Sequence, residues 1–172
     1  GTIQPGAISS IMKELTGYAN ATKTDPHALG YTAGPIGDEI AHWEIRIVRI
    51  PKDEPIWGDL KKLGCDHILM HLRFPDDYPF SPPFLRVITP RFAFRKGHVT
   101  LGGSVCMETL SNEGWNPMYR LEQIMVDVMA TMISGEARLD LSNTTPYSEQ
   151  EAVVAFNRML QTHGWTHWKT KR

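Results

Sequence analysis

Cys106 stands in the run Leu101-Gly102-Gly103-Ser104-Val105-Cys106-Met107-Glu108-Thr109-Leu110, and Gly114-Trp115-Asn116-Pro117 follows. A thiol in an exposed loop can act as thiolate, and a thiolate takes an acyl group readily from another thioester. The glycine pair before it keeps side-chain bulk away, so an extended chain carrying that acyl group can lie alongside. Release of the acyl group to an amine passes through a tetrahedral oxyanion, which needs aimed hydrogen-bond donors, one donor being worth roughly 3 kcal/mol. The competing reading is a buried, inert cysteine.

The elements that must hold this loop are legible along the chain. Apolar residues at helical spacing (Ile8, Ile11, Met12, Leu15) predict a first helix over residues 6–19. Residues 31–38 read as a short strand and turn. Alternation predicts a strand over 42–50, a loop over 51–58, and a strand over 65–74 with Ile68, Met70, Leu72 and Phe74 on its apolar face. Cys65, His67 and His71 fall on the other face, which reads as exposed sheet surface rather than a metal set. Prolines 79, 82 and 83 end that strand in a rigid turn, and 84–89 is a fourth strand. Regular structure is then expected to stop from 90 to 117, a length that usually marks function. Leu121, Ile124, Met125, Val128, Met129 and Met132 predict a helix ending at Gly135, with the methionines as core filling. Ser148 and Glu151 have capping-box spacing for a last helix over 148–162. Strands first and helices later predict an α+β domain with a mostly antiparallel sheet.

Composition bounds the class. The chain has 172 residues, 41% hydrophobic and 22% charged, with net charge −1. That balance gives no electrostatic case for nucleic acid, and no apolar run approaches the roughly 18 residues of a membrane span. Two cysteines, Cys65 and Cys106, make neither a disulfide framework nor a Cys-x-x-Cys zinc site. They suit a reducing compartment, so a cytoplasmic or nuclear location is expected. A single domain over 1–172 is expected, and the abrupt start at Gly1 points to a natural N-terminus that extends further.

Several spaced motifs in one order resemble the ubiquitin-conjugating family: Gly34-Pro35-Ile36-Gly37-Asp38 with His42-Trp43, then Phe74-Pro75 through Pro82-Pro83, then Cys106, then Trp115-Asn116-Pro117. The family's His-Pro-Asn tripeptide is absent, and position 106 − 8 is His98. The chain looks most like the Q-type subfamily, which also lacks it, through Gly102-Gly103, Cys106-Met107-Glu108, Gly114-Trp115, Ala137-Arg138-Leu139 and His163-Gly164-Trp165. The resemblance implies the ubiquitin-conjugating fold: an N-terminal helix, a four-stranded antiparallel meander, an active-site loop and C-terminal helices. It implies that Cys106 carries ubiquitin as a thioester, received from an activating enzyme and passed to a protein substrate, usually with a ubiquitin ligase. His98 is expected in place of the family's asparagine, as oxyanion donor or loop holder. Asp140 is the one acid near the family's gate aspartate, placed to orient or deprotonate an acceptor. Phe80, Pro117 and Met118 match the loops presented to ligases, and Trp115 reads as packing beneath the loop. The outer sheet face is one on which family members can bind a second, noncovalent ubiquitin. No cofactor is expected, ATP being used upstream by the activating enzyme. Two alternatives remain at this point: a non-catalytic relative that binds ubiquitin or a partner enzyme, and a carrier of another ubiquitin-like modifier.

Overall fold

The computed structural model describes residues 2–93, 96–105 and 107–164. The chain runs α1 (Pro5–Ala21), β1 (Tyr31–Ile36), β2 (Glu39–Ile47), α2 (Pro55–Lys62), β3 (Ile68–Arg73), β4 (Phe84–Thr89), α3 (Leu121–Ser134) and α4 (Glu149–His163). The four strands form one antiparallel sheet in chain order. On its inner face Trp43, Ile45 and Ile47 of β2 stand opposite Leu72, Met70 and Ile68 of β3. All six are buried in one cluster with Ile11 of α1 and with Ile124, Met125, Val128 and Met132 of α3. α4 carries the expected capping box: Ser148 accepts from the Glu151 N–H, and the Glu151 carboxylate accepts from the Ser148 N–H.

Three sequence expectations are corrected. The loop expected over 51–58 gives way at Pro55 to α2, which runs on to Lys62. Pro55 supplies the preset φ of a first helical turn, and Ile56, Asp59 and Leu60 form its buried stripe. A carboxylate on the buried face breaks the apolar pattern that would reveal so short a helix. The strand expected from 65 begins at Ile68. The Cys65 N–H donates to the Leu60 carbonyl at 2.9 Å, closing α2, and His67 pairs with Asp66 at 2.6 Å. Cys65, His67 and His71 therefore do not share a strand face. β2 ends at Ile47, because the N–H groups of Val48 and Arg49 both turn to the Gly30 carbonyl, at 2.9 and 3.0 Å.

The outer sheet face is also less open than expected. Phe84 is buried under Phe156 of α4, ring centroids 5.5 Å apart, and Arg73 donates two hydrogen bonds to Glu149 at 3.1 and 3.3 Å. Beside them His42 and His71 meet edge to face at 4.8 Å. Among the described residues His71 Nδ1 is buried without a hydrogen-bond partner. Burial first, then His42 and Arg86, push the His71 imidazole down to about 4.

Asp59 is the most enclosed charge among the described residues, 1% exposed. Its carboxylate accepts from Arg138 Nε and Nη2 at 2.8 and 2.9 Å and from the Leu139 N–H at 3.0 Å. These bonds, the Arg138 side chain first, hold Asp59 below the usual carboxylate range. Asp59→Ala should therefore cost about 2 kcal/mol at pH 7, since it leaves the buried Leu139 N–H unpaired, while the half-exposed Arg138 guanidinium is taken up by water. A carboxylate with a lowered folded pKa stabilises above its unfolded value, and that stabilisation is lost as pH falls through the folded value. Urea midpoints measured against pH should thus converge for the two proteins in acid; a constant gap would contradict the assignment. His71 acts in a separate window. The unfolded chain protonates near 6.5 and the native imidazole only near 4, so stability falls as pH falls between them. His71→Gln should flatten that interval, and an unchanged slope would show that His71 does not set it.

Candidate active site

Cys106 lies outside the described residues; the chain on either side of it is fixed by hydrogen bonds. Where irregular chain was expected, residues 99–105 form a tight hairpin. The Thr100 N–H donates to the Ser104 carbonyl at 2.8 Å and the Gly103 N–H to the Thr100 carbonyl at 3.0 Å; Val99 bridges Val105, and the two hydroxyls of Thr100 and Ser104 bond at 2.6 Å. The returning arm lies along β4: the Val87 N–H donates to Gly103 and the Val105 N–H to Leu85, at 2.8 and 3.0 Å. Each arm is two or three residues long, too short to leave a period in the sequence.

The glycine pair serves this close packing. Gly103 has φ +97°, and a Cβ there would sit 2.6 Å from the Tyr147 ring; one on Gly102 would strike the Glu151 carbonyl. Glycine is thus required at both positions by α4 and the loop before it, in addition to leaving room for a bound chain. Downstream, a single 3-10 turn (Glu108–Leu110) begins two residues after Cys106, and Ser111 Oγ donates to the Glu108 carbonyl at 2.6 Å. Trp115 Nε1 donates to the Pro79 carbonyl at 2.7 Å, with its ring between Tyr78 and Tyr119. Trp115 therefore packs, as expected, and ties the proline turn to the segment after position 106.

His98 is exposed and has φ +58°, a left-handed conformation uncommon outside glycine and found at functional turns. Its ring packs on Gly135, and the adjacent Gly97 N–H donates to the Gly135 carbonyl at 3.0 Å. Lys96 pairs with Glu136 at 3.4 Å across the same junction. Asp140 is half-buried. One carboxylate oxygen accepts from Ser142 N and Oγ and from Asn143 N, at 2.9, 2.7 and 3.1 Å. These bonds, the Ser142 hydroxyl foremost, hold its carboxyl below the usual range. A carboxylate so stabilised is a weak base, better suited to orienting an amine than to deprotonating one. Phe80 and Met118 project from two loops at 74% and 81% exposure, with Pro117 exposed beside Met118.

Sequence reading missed four residues that organise the site. Tyr147 accepts from the Phe92 N–H through its hydroxyl at 2.9 Å. Arg91 stacks 4.5 Å above that ring and bonds Glu151 at 3.0 and 3.2 Å. Asp59 holds residues 138–139, and Glu14 of α1 accepts from Arg120 Nε and the Leu121 N–H at 2.9 and 3.2 Å, closing the start of α3. A polar residue on an otherwise apolar helix stripe was the available signal for Asp59 and Glu14. Among the described residues no three His, Cys, Asp or Glu side chains are placed to hold a metal.

The family model for ubiquitin-conjugating enzymes matches residues 10–162. The Q-like protein 1 of the ubiquitin-conjugating enzymes of Homo sapiens is 33% identical over 138 residues, which are 78% of this chain and 84% of that protein. Ubiquitin-conjugating enzyme E2 Q1 of Homo sapiens is 32% identical over 175 residues, 99% of this chain and 40% of that longer protein. Among solved structures, human ubiquitin-conjugating enzyme E2 G1 superposes with a TM-score of 0.58 at 28% identity, over 77% of this chain and 98% of that one. With its helix, four-stranded meander and later helices in the family's order, the chain belongs to the ubiquitin-conjugating enzymes, a family of transferases, close to the Q-type subfamily.

Proposed function

We propose that Cys106 is the nucleophile through which this chain carries ubiquitin. The observation that carries this reading is the hairpin fastened to β4 up to Val105 and the turn fixed from Glu108 on. A position between two such flanks can receive an acyl group with little reorganisation. The Cys106 thiolate attacks the ubiquitin carbonyl held as a thioester on the activating enzyme, and the activating enzyme's thiolate leaves. An acceptor nucleophile on the substrate then attacks the Cys106 thioester, giving its proton to a nearby base or to water while the Cys106 thiolate departs. His98 donates to the oxyanion of that second step or holds the loop in place, and Asp140 orients the acceptor. Phe80, Pro117 and Met118 receive a ligase. The chain acts as one catalytic domain in the cytoplasm or nucleus and uses no cofactor of its own, ATP being consumed by the activating enzyme.

Incubation with activating enzyme, ATP and ubiquitin should give an adduct on non-reducing gels that reductant removes and that Cys106→Ala lacks. An adduct surviving in Cys106→Ala would move the thioester to Cys65. No adduct from folded protein would favour another modifier or a non-catalytic binding role.

His98→Ala should slow single-turnover discharge by about a hundredfold, the low end of what one lost oxyanion donor costs, with a smaller effect on charging. His98→Asn, which tolerates the left-handed backbone and keeps a donor, should recover most of the rate. Equal losses in both steps, or none, would leave His98 as an ordinary loop residue.

A further inference from the structure

Between the hairpin that leads to Cys106 and helix α4 runs a groove of about 1110 Å³. Thr100 and Leu101 line one wall, and Val154, Ala155, Arg158 and Met159 the other. Leu101 is 68% exposed and Val154 51% exposed. Exposed apolar side chains on both sides of a concavity mark a surface that gains by being covered.

The shape fits an extended polypeptide. The helical wall runs from Ser148 to Thr162, about 21 Å at helical rise, which is room for roughly six extended residues. The electrostatics give that polypeptide a sign. Arg158 is exposed and pairs with no carboxylate among the described residues. Glu151, the one acid in the lining, is already held by Arg91 and the Ser148 N–H. His98 and His163 also line the groove. After Gly164 the sequence adds Lys169, Lys171 and Arg172 and no acidic residue. A chain of net charge −1 thus sets into the wall of this groove a cation that no carboxylate of the described residues pairs with.

We propose that the groove seats the acceptor polypeptide, selecting an extended segment that combines a large apolar side chain with a carboxylate. The apolar side chain lies between Leu101 and Val154 and the carboxylate meets Arg158, which presents the acceptor nucleophile to a thioester four residues beyond Gly102. This rests on the reading of Cys106 as the carrier. Complementary charge of this kind sets which partner docks more than how tightly it is held.

The test uses three acetylated eight-residue peptides with one lysine each: one with leucine and glutamate, one with leucine and arginine, one with serine and glutamate. Discharge of the preformed ubiquitin adduct onto each is timed in a single turnover, and fluorescence anisotropy reads peptide binding to the uncharged protein. The leucine–glutamate peptide should react and bind at least about fivefold better than the leucine–arginine peptide, the scale of one exposed ion pair. The ratio of those two rates cancels effects on the thioester itself. It should fall to one or invert in Arg158→Glu, while Val154→Asp should abolish the preference for leucine over serine. An unchanged charge ratio in folded Arg158→Glu overturns the proposal, as does an equal slowing on all three peptides. Tighter peptide binding after removal of residues 165–172, with no effect of Arg158→Glu, would assign the groove to the chain's own end and also overturns it. Absence of any thioester with the anisotropy preference intact would support the groove as a peptide site while removing the transfer reading.

Discussion

A carboxylate sealed from water must find donors or cost several kcal/mol, and Asp59 imposes that condition on half of this molecule. Its donors are the Arg138 fork and the Leu139 N–H, so α2 and the chain after α3 are fixed face to face. The Arg138 carbonyl then accepts from Ala93, the Asp140 N–H reaches Arg91 at 2.8 Å, and Leu139 bridges Phe92. Phe92 in turn gives its N–H to the Tyr147 hydroxyl, and the Tyr147 ring occupies the space that a side chain on Gly103 would need. Hydrogen bonds and one steric contact thus lead without a gap from a buried acid in a short helix to the hairpin before Cys106.

Helix α4 is held by a second electrostatic condition. Arg73 and Arg86 stand on the outer sheet face as two like charges, with His42 and His71 beside them held toward the neutral form, burial being the first cause for both; burial also lowers the Arg86 guanidinium's pKa. The first turn of α4 answers with Glu149 to Arg73 and Glu151 to Arg91. Acids in a first turn also oppose the positive end of the helix dipole. Two residues apart, they fasten the helix across β3 on one side and the approach to the active-site loop on the other. The α4 wall of the groove is therefore placed by these two ion pairs, while Phe84, Ala152, Phe156 and Leu160 add a small apolar seat of their own.

What was legible follows from what leaves a period. β4 was read to the residue, and α1, α3 and α4 to within a few, because Ile8–Ile11–Leu15 and Ile124–Val128–Met132 repeat at helical spacing. α2 was not, because one of its three buried positions is an aspartate. The strand assigned to Cys65 and His67 failed because alternation persists through a turn whose backbone is committed to Leu60. Cys106, His98, Asp140, Phe80 and Met118 could be picked out as motif positions, since a motif is a linear property. Tyr147 and Arg91 could not, because their partners lie 55 and 60 residues away.

The same distinction explains how the site can be rigid where it is irregular. Trp115 anchors the chain after position 106 to the proline turn through the Pro79 carbonyl. Gly102 and Gly103 anchor the chain before it to α4 and Tyr147. His98 is held at φ +58° by packing on Gly135 and by the Gly97–Gly135 bond, so its conformation is set by the end of α3 rather than by its own preference. The His98 and Gly103 anchors meet at Phe92, whose ring lies against Gly97 and whose N–H bonds the Tyr147 hydroxyl, while the Trp115 anchor rests on the proline turn. The apolar loop tips at Phe80 and Met118 lie beyond the Trp115 anchor, and the cationic groove lies against Gly102. The exposed tips at Phe80 and Met118 and the groove beside Gly102 are thus carried by different segments, joined to the rest of the fold by the Trp115–Pro79 bond and by the contacts of the glycine pair.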